Sequence, residues 1–208
     1  MRNKISYLAF KEQLSPFRVF SLRDVTKVYP VFASNRFSEW QSKGYITKLI
    51  KGWYIFNDVP TSETTLFQIS NALCRPSYVS LESALSFYGA IPEQAFTITS
   101  ITTTKTRDYT TPRGRFTYQV LKPSLYFGYR ILPQVTGRAV LMAELEKTLL
   151  DYLYLNPKLN CLETIEALRL NREVMQTMDK GKMEAYLSLF NNKALEKRYE
   201  VLKQHLQW

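Results

Sequence analysis

Ser34-Asn35-Arg36-Phe37-Ser38-Glu39-Trp40-Gln41-Ser42-Lys43-Gly44 is the stretch that decides how this chain folds. Phe37 and Trp40 lie one helical turn apart and mark a buried face, while Gly44 suits the left-handed residue that closes a helix. Ser34, Asn35, Arg36, Ser38 and Gln41 fall toward the other side, more of them near the N-terminal end, and Lys43 follows. A helix that enters the major groove needs this division. Arginine can grip a guanine through two bonds, and asparagine or glutamine can grip an adenine. Glu39 would accept from cytosine or sit in solvent. The solvated face of any small helix shows a similar polar pattern, so the flanking segments have to decide.

Upstream, Ile5, Leu8, Ala9 and Leu14 recur at helical spacing until Ser15-Pro16, which predicts a first helix within a polar-basic N-terminus. Ser21-Leu22-Arg23-Asp24 places a carboxylate three residues after a serine. It predicts a capped second helix with Leu22 and Val25 inward, stopped by Pro30. Downstream, Tyr45–Ile50 and Trp53–Phe56 alternate as two strands across a Lys51-Gly52 turn, and Lys48 and Lys51 suit phosphates flanking a groove. Three helices followed by a basic hairpin predict a winged helix-turn-helix over residues 1–60. Turn formers from Asn57 to Ser62 mark the boundary with a second domain, residues 61–208.

Charge supports the same division. The 208 residues carry 28 Lys and Arg against 18 Asp and Glu, a formal +10, and the first 60 hold ten basic and four acidic residues. Polyanions are therefore plausible partners of the N-terminal region. The 45% hydrophobic and 22% charged fractions are ordinary globular values, and no run approaches the ~20 apolar residues of a membrane helix. Residues Met1 to Lys11 lack an apolar core followed by a small-residue cleavage site, so a cytoplasmic protein without membrane partners is expected. Cys74 and Cys161 stand far apart without a CxxC pattern and read as buried thiols. With His205 as the one histidine, no metal and no cofactor are expected.

Residues 61–208 read as α+β. Ser80 is placed to cap a helix in which Leu81, Ala84, Leu85 and Tyr88 pack together, ended by Gly89. Phe96–Thr102 and Phe116–Leu121 alternate as strands. Between them Lys105, Arg107, Arg113 and Arg115 gather around a turn, a secondary basic contact for phosphates or an acidic partner, or an ordinary solvated loop. Further strands are expected over Arg138–Met142 and Tyr126–Leu132. A helix over Ala143–Leu155 buries Leu145, Leu149, Tyr152 and Leu153, leaving Lys147 and Asp151 as an i, i+4 pair of the weak helical kind. From residue 155 the chain is helical, with three amphipathic helices separated near Asp179-Lys180-Gly181 and Asn191-Asn192.

Residues Phe20 to Tyr54, including Lys43-Gly44-Tyr45-Ile46-Thr47-Lys48-Leu49-Ile50-Lys51-Gly52-Trp53-Tyr54, resemble the winged-helix module of the AbiEi-type antitoxin regulators. The run from Tyr78-Val79-Ser80-Leu81-Glu82-Ser83 through Gly89 to Gln94 is similar to the central motif of that family. Met142-Ala143-Glu144-Leu145-Glu146-Lys147-Thr148-Leu149-Leu150-Asp151 is similar to its helix with a Glu-Lys pair and a later Asp. The likeness extends to about Leu155, and Asn156–Trp208 is less clearly matched. It implies the antitoxin of a type IV abortive-infection module whose toxin is a nucleotidyltransferase. It further implies autorepression through the N-terminal domain, bound to double-stranded operator DNA with inverted repeats. The C-terminal domain would carry antitoxin activity without necessarily forming a stable toxin complex, with Ser80, Glu82, Ser83, Glu146, Lys147 and Asp151 as its motif residues.

Two other functions compete. One is a winged-helix regulator whose second domain senses an effector. The other is a nuclease using Glu144, Glu146 and Lys147, although that chemistry wants an acid where Leu145 stands and a strand rather than a helix. Ser83 beside Glu82 offers no nucleophile, because no histidine stands near it.

Overall fold

The computed structural model describes residues 5–94, 96–133 and 137–208. The expected N-terminal helix is present as α1, Tyr7–Leu14, and residues 1–4 of the segment assigned to it lie outside the described residues. Its apolar face differs from expectation. Leu8 is 77% exposed and Ala9 is also exposed, whereas Phe10 and Leu14 are fully buried. The phase is set by aromatic packing. Phe10 lies 4.4 Å from Trp40 and 5.5 Å from Phe20, centroid to centroid, and is ringed by Tyr29, Phe32, Phe37 and Phe56.

A short strand, β1 (Val19–Ser21), leads directly into α2 (Leu22–Val28). Ser21 and Asp24 form the capping box that their spacing predicts. Val25 is buried, but Leu22 is 38% exposed because it opens the helix on the outer side. After a short turn comes α3 (Asn35–Ser42), with Phe37 and Trp40 buried and Gly44 at φ +69 just beyond the helix. Next, β2 (Ile46–Ile50) and β3 (Trp53–Phe56) pair across Lys51 and Gly52, with Gly52 at φ +81. The two-stranded hairpin of the sequence reading is one part of a three-stranded antiparallel sheet, ordered β1-β3-β2, in which Val19 pairs with Ile55.

The second sheet has six strands and is mixed. Helix α4 (Glu63–Leu73) precedes β4 (Ser77–Val79), and α5 (Leu81–Phe87) follows it. Then come β5 (Thr97–Thr102), β6 (Arg107–Thr111), β7 (Gly114–Val120), β8 (Tyr129–Ile131) and β9 (Leu141–Ala143). The spatial order is β6-β7-β5-β4-β9-β8, with β5/β7 and β4/β9 parallel and the other pairs antiparallel. Ile98, Ser100, Phe116 and Tyr118 face inward as their alternation requires. Phe96, expected to open this strand, instead lies before it and is 96% exposed. Val120, at the far end of β7, is 36% exposed, and Leu121, just past it, is buried.

Central β4 divides the core by its pleat. Tyr78 packs into a cluster with the helices of one face, and Val79 into a cluster with Phe67 and Ala72 of α4 on the other. That second cluster also contains Val19, Leu49 and Ile55, so the three-stranded sheet shares a core with residues after the Asn57–Ser62 turn. The first face is closed by α6 (Leu145–Leu155), α7 (Leu162–Glu166), α8 (Arg172–Gln176), α9 (Lys180–Phe190) and α10 (Lys193–Leu206). Four helices follow α6 where three are predicted, α8 being the addition. Asp179 and Asn192 cap the last two, and Asn191 ends α9 in the left-handed region. The molecule is α+β, and among the described residues no helix is long and apolar enough to cross a membrane.

Candidate functional site

Two groups of residues singled out from sequence occupy contrasting environments. The first is the outer face of α3 with the β2–β3 hairpin. Ser34, Asn35 and Ser38 are exposed along the N-terminal part of α3, and Lys48 and Lys51 are exposed on the hairpin. The helix is held beneath them by stacking of Phe37 on Tyr54 at 4.3 Å and by the contact of Trp40 with Phe10. Asn57 braces the hairpin to the helix end, its amide donating to the Gly44 carbonyl at 2.7 Å and its oxygen accepting from Thr47 at 2.5 Å. The polar face therefore stands on a packed aromatic base, as a reading surface requires.

Arg36 does not belong to that outer face. Its guanidinium donates to the Ile5 carbonyl at 2.6 Å and to Glu39 at 2.6 Å, and it lies 5.3 Å from the Trp40 ring. With a side chain 17% exposed, it fastens the segment that precedes α1 to α3 instead of reaching outward. Gln41 bonds back to the Phe37 carbonyl at 3.0 Å, and Glu39 bridges Arg36 and Lys43. Among the described residues, the side chains of this face that make no bond within the chain are the short Ser34, Asn35 and Ser38 of the helix, with Lys48 and Lys51 on the hairpin.

The secondary basic group is likewise divided. Lys105 and Arg107 are exposed, and Arg107 bonds the Tyr109 hydroxyl at 2.7 Å. Arg115 is paired with Asp108, which Arg115 holds below the usual carboxylate range. Arg113 turns back to the N-terminal unit, donating to the Val59 carbonyl at 3.0 Å and the Thr61 hydroxyl at 2.6 Å. The expected turn is present at Pro112 and Arg113, where it joins β6 to β7, but Lys105 and Arg107 lie at the other end of β6 and Arg113 is a clamp.

The second group is the set of motif residues just after β4 and on α5 and α6, and all of them but the half-buried Glu82 are buried. Lys147 and Asp151, expected as a weak i, i+4 helical pair, are ion-paired and both fully buried. Asp151 also accepts from the Tyr78 and Ser80 hydroxyls at 3.0 Å each, and Lys147 donates to Tyr78 at 3.0 Å. Phe127 and Phe190 lie 5.0 and 4.9 Å from the ammonium. Burial pushes the Asp151 carboxyl up and the Lys147 ammonium down, and their mutual attraction opposes both shifts. Ser80 does not bond the α5 backbone as a cap would, since its hydroxyl is spent on Asp151.

Ser83 ties α5 to β5, donating to the Thr97 carbonyl at 3.1 Å and accepting from the Thr99 N–H at 2.8 Å. Glu82 lines an open cavity of about 560 Å³ with Tyr152 and Thr99. Glu146 points away from Lys147 and accepts the Asp179 N–H at 3.0 Å, while Glu144 accepts the Tyr186 hydroxyl at 2.6 Å. Of the residues weighed as a nuclease set, Glu144 and Glu146 share the Lys182 ammonium at 3.3 and 3.8 Å, whereas Lys147 is paired with Asp151.

Sequence reasoning missed Arg138. It donates to the Val19 carbonyl at 2.7 Å, pairs with Asp24 of the capping box, and lies 5.3 and 5.4 Å from the Phe17 and Trp53 rings. Burial pushes the Asp24 carboxyl up, but hydrogen bonds from Ser21 and the nearby Arg138 and Arg75 charges overcome it and hold it below its usual value. A separation of 114 positions leaves no local signal for such a contact. Neither a known protein family nor a curated protein matches this chain.

Proposed function

We propose that the chain is a DNA-binding autorepressor whose first 60 residues act as a winged helix-turn-helix, and that it is the antitoxin of a type IV module opposing a nucleotidyltransferase toxin. One observation carries the DNA half. Ser34, Asn35 and Ser38 stand exposed on a helix whose opposite side is locked into an aromatic core, next to a hairpin bearing exposed Lys48 and Lys51. Short hydrogen-bonding groups on a rigid helix suit base edges, and flanking lysines suit phosphates. The order helix, strand, helix, helix, hairpin, with β1 completing the sheet, supports the same reading.

The antitoxin half rests on the family-like motifs. In this reading the motif residues Ser80, Lys147 and Asp151 build the scaffold of the second unit, and toxin antagonism belongs to its exposed surface. A reporter driven by the chain's own upstream region is expected to be silenced by the full chain. Unchanged expression would remove the repressor assignment. Co-expression is expected to relieve growth arrest caused by the adjacent gene's product, and persistent arrest at matched expression would remove the antitoxin assignment.

A further inference from the structure

An open cavity of about 670 Å³ lies where the N-terminal unit meets the six-stranded sheet, with Phe17 from one side and Tyr126 and Leu141 from the other. Its walls are mainly apolar, yet two arginines, Arg75 and Arg138, are among the residues that line it. Arg75 is exposed and makes no ion pair among the described residues. Asp24 is the carboxylate that serves Arg138, and it feels Arg75 as well, while burial and the nearby Arg75 charge both depress Arg138. Two cations thus share one anion in a partly desolvated place, leaving a positive excess.

The Tyr126 hydroxyl is buried and has no hydrogen-bond partner among the described residues. Burial raises its pKa, so at neutral pH it is a donor without an acceptor. Buried hydroxyls are ordinarily satisfied, and one that is not, beside a cationic cavity, marks a place for an acceptor from outside the chain. The other polar groups of the wall are committed. Asn71 accepts the Leu141 N–H at 2.7 Å, and Arg138 Nε is held by Val19.

We propose that this cavity binds a small organic anion, a carboxylate or phosphate monoester with an apolar body. The anionic group lies between Arg75 and Arg138, within the field of both; the Tyr126 hydroxyl supplies a donor, and Phe17 and Leu141 cover the apolar part. Arg138 links the cavity to the start of α2, because the carboxylate it holds also accepts the Ser21 N–H at 2.8 Å. A bound anion competes with Asp24 for Arg138, and occupancy therefore reaches the helix that precedes α3. This inference stands on the cavity itself and does not depend on DNA binding, so its test contains no DNA.

The full chain is titrated with phenyl phosphate, benzoate and inorganic phosphate, followed by calorimetry and by intrinsic tryptophan fluorescence, to which Trp53, whose ring faces Arg138, contributes. At least one aryl anion is expected to bind saturably, and inorganic phosphate about tenfold more weakly or not at all. Arg75→Ala, at an exposed position, is expected to weaken the aryl anion about tenfold, and Tyr126→Phe about threefold, with both variants retaining cooperative unfolding. No saturable response to either aryl anion overturns the proposal. So does equal affinity in wild type and both variants, and so does inorganic phosphate binding as tightly as the aryl anions, which would indicate charge alone.

Discussion

Lys147 and Lys51 carry the same charge in opposite circumstances. Lys147 is wholly enclosed, with its ammonium paired to Asp151, bonded to Tyr78 and placed near the Phe127 and Phe190 rings. Lys51 sits on an exposed turn with no ion pair among the described residues. Burial makes a charge expensive unless every partner is present, so the enclosed lysine is committed to the fold. The exposed one contributes little to stability and is free for a partner. Motif residues and site residues are thereby separated by environment.

The largest expected effect breaks the enclosed side of this contrast. Lys147→Met leaves Asp151 as an unpaired buried carboxylate and is expected to cost about 3–5 kcal/mol of unfolding free energy. Lys147→Met combined with Asp151→Leu removes both charges and is expected to recover most of that loss, because replacing a whole buried pair by apolar groups is often neutral. Urea unfolding of the three proteins measures it. Equal losses in the single and double variants would show that the network is not a coupled pair.

Arg36 tests the boundary between the two environments. Its guanidinium is bonded to the Ile5 carbonyl and Glu39, so Arg36→Ala is expected to lower stability by about 2 kcal/mol through lost charge-assisted bonds. Asn35→Ala, at an exposed position, is expected to leave stability within about 0.5 kcal/mol and to relax operator preference at one or two base pairs, costing about 1–3 kcal/mol of discrimination. Thermal unfolding beside binding to operator variants separates the two. An Arg36→Ala protein of full stability with altered sequence preference would return Arg36 to the groove.

Why sequence placed Arg36 outward and read Lys147 as half of a weak helical pair is a matter of range. Helical periodicity located Phe37, Trp40, Gly44 and the Ser21–Asp24 box, since each is decided within four residues. It misjudged α1, where Leu8 and Phe10 compete for the inner face and aromatic partners from α3 and β3 select Phe10. Strands β1 and β4, three residues each, are too short to show a period. Arg36, Lys147 and Arg138 all depend on partners that folding delivers from elsewhere: the Ile5 carbonyl, the aromatic rings of Phe127 and Phe190, and Asp24. Of the candidate site, the exposed polar positions of α3 and the hairpin lysines were legible. Commitment of individual arginines was not.

The seam between the two units gives an intermediate case, a half-enclosed pair. Asp24→Asn keeps a capping side chain but loses the charge held by Arg138, and is expected to cost about 1–2 kcal/mol at neutral pH. Because the folded state holds the Asp24 carboxyl below its ordinary value, its contribution is fully present above the unfolded value of about 4 and is lost as pH falls through the lower folded one. The stability gap between wild type and Asp24→Asn should therefore be constant from neutral pH to about pH 5 and close in stronger acid. A gap that instead closes between pH 5 and 7 would assign the contribution to another group.

The smallest effect on the fold is expected on the exposed side. Lys51→Ala should leave unfolding free energy within about 0.5 kcal/mol, since neither burial nor an ion pair holds the ammonium in place. If Lys51 neutralises one phosphate, its loss weakens all DNA sequences to a similar degree and lowers the slope of log affinity against log salt by about 0.9. Asn35→Ala should leave that slope unchanged while altering sequence preference. The pair of slopes thus distinguishes a positioning charge from a base-reading group within the same module. A Lys51→Ala protein with unaltered slope would place the phosphate contact elsewhere, with Lys48 on the adjoining strand as the next residue to substitute, because it shares the exposed edge of the hairpin.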